Sequence, residues 1–74
     1  MPQIDLEPVA DSSLIKADFY DQRTQTLYVQ FLKTGETYKY SIDPQTFASY
    51  SRGALSKGKY FAAHIRPNIQ GVRV

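Results

Sequence analysis

The chain has 74 residues, no cysteine and one histidine, which excludes disulfides, thiol catalysis and a cysteine- or histidine-rich metal centre. A single domain of this length buries only about 60% of its unfolded surface, so the six Tyr and four Phe serve first as core mass. The net charge of +2 hides an asymmetry: residues 1–51 carry four Lys/Arg against seven Asp/Glu, whereas residues 52–74 carry five Lys/Arg and no acid. No apolar run approaches the roughly 20 residues of a membrane span. The acidic start lacks the apolar centre of a signal peptide, so a soluble, cytoplasmic protein without membrane contact is expected.

Residues 1–11 are polar, contain Pro2 and Pro8, and read as a flexible N-terminal arm. Residues 14–21 read as a first strand, with Ile15, Ala17 and Phe19 on one face and Leu14, Lys16, Asp18 and Tyr20 on the other. A polar loop over 21–25 leads to the clearest strand, 26–33, where Leu27, Val29 and Phe31 alternate with Tyr28 and Gln30. A tight turn over 33–36 precedes a third strand, 37–42, with Tyr38, Tyr40 and Ile42 on one face.

At Ile42-Asp43-Pro44 the period changes from two to that of a helix. Asp43 can cap, Pro44 suits the first turn, and Ile42 with Phe47 is spaced for a hydrophobic staple. The first helix is predicted over 44–54, pressing Phe47, Tyr50, Ser51 and Ala54 on the sheet. Ser56 can cap a second helix over 57–66, ended by Pro67, in which Phe61 and Ile65 share a stripe and Tyr60 and His64 the next. Residues 68–74 form a tail that can add an edge strand. The predicted fold is therefore α+β: a three-stranded antiparallel meander followed by two C-terminal helices packed on one face.

No residue set carries a catalytic signature. His64 lacks a nucleophile and an orienting partner in the sequence, so an enzyme is not expected, and no metal site or cofactor is implied. An anion-binding face is a different matter. Ser56-Lys57-Gly58-Lys59 stands at a helix start, where two lysines oppose the helix dipole and an anion would relieve them. Arg52 and Arg66 extend the basic segment, and Tyr60 or His64 can stack on bases. Tyr38 and Tyr40 are read first as core residues, with stacking on a ligand as the alternative.

The order Ser12-Ser13, Tyr20-Asp21, Leu27-x-Val29-x-Phe31, Gly35-x-x-Tyr38-x-Tyr40, Pro44 and Ala54-x-Ser56-x-Gly58-x-x-Phe61-x-x-x-Ile65-Arg66 resembles the KTSC domain over residues 12–67. That family is named for its occurrence at the C-terminus of some lysyl-tRNA synthetases, and occurs as a stand-alone protein of bacteria and phages. It commonly has an aliphatic residue and a Gly before the tyrosine of the first strand. Here Asp18-Phe19 stands there, which leaves that strand's inward face, or its register, open. The resemblance implies RNA binding. The leading expectation is a small RNA-binding module using Arg52, Ser56, Lys57, Lys59, Tyr60, His64 and Arg66. The alternatives are a protein-interaction or host-modulating module that uses the sheet, and a binder of a small nucleotide or phosphate at residues 56–59.

Overall fold

The alternation of residues 26–31 puts Leu27 and Val29 on one face, and both are fully buried beneath two helical segments. The computed structural model, which describes residues 6–9, 12–52 and 57–74, contains one antiparallel sheet of β1 (Glu7–Pro8), β2 (Ile15–Asp21), β3 (Thr26–Phe31), β4 (Thr37–Ser41) and β5 (Val72–Arg73), ordered as in the sequence. Helix α1 (Pro44–Arg52) and helix α2 (Lys57–Tyr60) follow the meander, and a π-helical turn over Phe61–Ile65 continues α2. The fold is α+β as expected, but with five strands rather than three. The two additional strands are too short to show alternation. They exist because edges already formed accept them: Val9 N–H donates to Lys16 O at 2.9 Å, and Val74 N–H to Thr37 O at 2.9 Å. Residues 7 and 8 belong to the segment expected as an arm, and β5 realises the edge strand foreseen in the tail.

The faces of β2 differ from the expected alternation. Ile15 stands opposite Phe31 and Ala17 opposite Gln30, so β2 holds one extra residue, a β-bulge. Beyond it the parity reverses. Asp18 and Tyr20 join Val29 and Leu27 on the helix side, while Phe19 pairs with Tyr28 on the other side, ring centroids 6.2 Å apart. The open face of the first strand is thus settled by its register.

The core comprises Ile15, Leu27, Val29, Tyr40, Ile42, Tyr50, Phe61 and Ile65, with Phe47 and Tyr20 packed against it. Tyr20 stacks on Phe47 at 4.2 Å and donates to Ile42 O at 2.9 Å, which clamps the end of the sheet to α1. Helix α1 starts as predicted: Thr46 N–H donates to Asp43 Oδ1 at 2.9 Å. The predicted end of that helix at Ala54 and the cap at Ser56 lie outside the described residues. In the second helical segment Arg66 N–H reaches Phe61 O at 2.8 Å, five residues back, and Phe61 and Ile65 are both fully buried.

Gly58 is a buried contact point. A Cβ there would run into Ser12 Oγ, the atom that receives Leu14 N–H at 3.1 Å and Ile15 N–H at 2.9 Å. Helix propensity alone favours Ala over Gly by about 1 kcal/mol. We expect Gly58→Ala to lower the melting temperature instead, because α2 would be pushed off the start of β2; an unchanged or higher value would show that this approach is not tight.

The Asp43 cap supplies a second test. Hydrogen bonds from the Thr46 side chain and backbone hold its carboxyl below the ordinary value of 3.8. The folded value lies below the unfolded one. The stabilisation is therefore present above the unfolded value and is lost as pH falls through the folded one. Asp43→Ala should lower the melting temperature at pH 7, with the difference from the parent narrowing below pH 3.8. Asp43→Asn, a comparable cap that does not titrate, should not narrow in this way.

Candidate nucleic-acid interface

The bulge in β2 has a chemical result. Asp18, which the sequence placed on the face away from Ile15, is turned into the interior and is only 5% exposed. A buried carboxylate is costly without partners, and two are present. The Tyr50 hydroxyl donates to Asp18 Oδ2 at 2.7 Å, and Lys57 Nζ reaches the same oxygen at 3.1 Å. Burial first, and then the Asp18 carboxylate, push the Tyr50 hydroxyl far above its ordinary value, so it remains protonated and a donor. Lys57 Nζ also stands 5.5 Å from the centroid of the Tyr50 ring. One carboxylate thus joins β2, α1 and α2.

The expected site residues are distributed around this centre. Lys57 directs its ammonium inward at Asp18, a task the sequence did not suggest, because the cation a buried acid requires comes from the nearest helix start. Tyr60 packs against Tyr50 at 6.4 Å, and its ring lies 4.6 Å from that of His64. Lys59, His64 and Arg66 are exposed on the same helical segment, and Arg52 is exposed at the end of α1. Ser56 lies outside the described residues. The structure therefore links Lys57, through the Tyr50 ring, to Tyr60 and His64, while Arg66 lines a groove together with Tyr40.

Arg66 also borders a groove of about 520 Å³ between the β3–β4 turn and the tail. Phe31, Tyr38 and Tyr40 line it, with Lys33 from the turn and Gln70 from the tail. Burial raises the Tyr40 hydroxyl above its ordinary value, and the charge of Arg66 offsets part of that rise. Gly71 lies against the Tyr40 ring so closely that a Cβ would penetrate it. Tyr38 and Tyr40 are thus both core and groove residues: Tyr40 is 4% exposed, and Tyr38 is half-buried. Sequence reasoning did not find this groove. Its one local signal was a glycine in the tail.

Among the described residues no three His, Cys, Asp or Glu side chains come together, and no helix is long and apolar enough to cross a membrane.

A small antiparallel sheet covered on one face by two helical segments defines the class of domain. The model of the KTSC domain family matches residues 11–68, and the chain belongs to that family. A crystal structure of a KTSC domain protein from Yersinia pestis is similar throughout, with 28% identity, a TM-score of 0.80, and 95% of this chain and 96% of that chain covered. A search of curated proteins finds no match.

The Asp18 centre is testable through its neutral partner. Tyr50→Phe keeps the ring and removes the donor to a buried carboxylate. Loss of a hydrogen bond to a charged group costs about 1.5–3 kcal/mol, and chemical denaturation should show a loss of that size. Tyr60→Phe, at a half-buried position in α2, should change stability little. Equal stability of Tyr50→Phe and the parent would show that Lys57 alone satisfies Asp18.

Proposed function

We propose that this chain is a small binding module, not an enzyme, and that its ligand is nucleic acid, with single-stranded RNA the best fit. The observation that carries the reading is the Tyr60–His64 ring pair, 4.6 Å between centroids, on a helical segment that also carries the exposed Lys59 and Arg66. Rings of this kind stack on unpaired bases irrespective of sequence, and flanking cations meet the phosphates. Residues 52–74 contain no acid that would repel the strand. The exposed Arg52, Lys59 and Arg66 are the phosphate contacts of this reading.

A second reading has its own observation. Phe19 and Tyr28 form a stacked, half-buried pair on the helix-free face of the sheet, which suits a protein partner docking there. The nucleic-acid reading is preferred because it uses both the rings and the charge asymmetry.

Salt dependence tests the choice. Three phosphate contacts on a single strand correspond to a log–log salt slope of about −2, from roughly 0.7 per contact. Substituting Arg52, Lys59 and Arg66 together by Gln should weaken binding to a single-stranded RNA oligomer and flatten that slope. Tyr60→Ala should cost about 1–3 kcal/mol of affinity, the value of one stacked base, with little change in slope. The control, Lys16→Gln with Arg23→Gln, should bind as the parent does. If the triple variant retains full affinity, the helical face is not the interface.

A further inference from the structure

A groove lies beside the helical face, lined by Phe31, Lys33, Tyr38 and Arg66. We propose that it holds a single nucleotide, with the base against Phe31 and Tyr38 and the phosphate between Arg66 and Lys33. This goes beyond the helix-face reading, sharing only Arg66 with it, and rests on separate observations.

The first observation is size. The open groove measures about 520 Å³, within the range of about 300–1,000 Å³ common to small-molecule sites. The second is its lining. Phe31 and Tyr38 meet edge to face at 5.6 Å, so they form a fixed apolar wall instead of a mobile one. Phe61 braces that wall from below, 5.7 Å from Phe31 and 5.0 Å from Tyr40. A planar ring fits such a surface, and the Gln70 side chain at the rim offers both a donor and an acceptor to a base edge.

The third observation is charge. Lys33 and Arg66 enter from different elements, and neither is engaged by a carboxylate among the described residues. The one acid of the groove, Glu36, is already held: Arg73 Nη1 lies 3.4 Å from its Oε2, and the Tyr38 hydroxyl donates to the same oxygen at 3.4 Å. Lys33 and Arg66 are therefore left to face an anion. A phosphate attached to a planar ring satisfies the wall and the two cations together. The tail forms one side of the groove. Gly71 lets its backbone rest on Tyr40 where any side chain would collide with the ring.

The nucleotide can be free or part of a strand, and the experiment separates the two. The parent is titrated with adenosine monophosphate, adenosine, inorganic phosphate and single-stranded oligoadenylate, following backbone and tyrosine ring signals by nuclear magnetic resonance. Adenosine monophosphate should shift Thr34, Tyr38 and Gly71, and should bind more tightly than adenosine or phosphate alone. Lys33→Gln with Arg66→Gln, both exposed positions, should keep the melting temperature and lower that affinity by about tenfold or more, the scale of a lost charged contact. Competition by oligoadenylate for the same signals assigns the site to a nucleotide of a strand, and tight mononucleotide binding without competition assigns it to a free one. Shifts confined to Lys59, Tyr60 and His64 would overturn the proposal and leave the helical face standing as the RNA surface. Unchanged affinity in the double variant would also overturn it.

Discussion

Asp18 is a carboxylate carried out of water by a single extra residue in β2, and most of the tertiary arrangement answers to it. Its burial is tolerable only with a donor and a cation, which come from α1 as the Tyr50 hydroxyl and from α2 as the Lys57 ammonium. Replacement of such a buried pair by apolar groups is often neutral for stability, whereas removal of one member is not. The arrangement therefore acts as a constraint on position. The helices cannot slide on the sheet without stranding a charge, so the surfaces they carry keep a defined place relative to the strands.

Around that constraint the core is made largely of rings. Tyr20 on Phe47, Phe47 beside Tyr50, Tyr50 against Tyr60 and Tyr60 over His64 form a continuous series from the end of β2 to the outside of the last helical segment. A second series joins Tyr38, Phe31, Phe61 and Tyr40 beneath the groove. In so short a chain, large flat side chains bury the most area per residue. The radius of gyration of 11.2 Å matches the value of about 11 Å expected for a compact chain of this length. Both proposed surfaces are the outer ends of these ring series. Their aromatic groups are positioned by the core and are not suspended on loops.

The basic residues divide between structure and surface in a way that net charge conceals. Lys57 serves the buried acid and Arg73 pairs with Glu36. Arg66 is exposed and borders the groove that Lys33 also lines. Arg66 thus shares a helical segment with the ring pair and borders the groove beside it. One ligand crossing both would use its charge once.

The local sequence determined the elements whose signals are local. Alternation marked β3 and β4, the Asp43-Pro44 step marked the start of α1, and the spacing of Phe61 and Ile65 marked their buried stripe. The ordered motif also identified the family that the match over residues 11–68 shows. Tertiary structure alone decided the face of Asp18, the use of Lys57, the strands β1 and β5, and the groove. A bulge is defined by counting one strand against its neighbour, so no property of residues 15–21 by themselves states where the parity changes. A strand of two residues exists only because another strand offers it an edge, and a groove exists only where a turn and a tail far apart in sequence come to border the same three rings. Each depends on which residues meet across the fold, and the periodicity of a single segment does not carry that information.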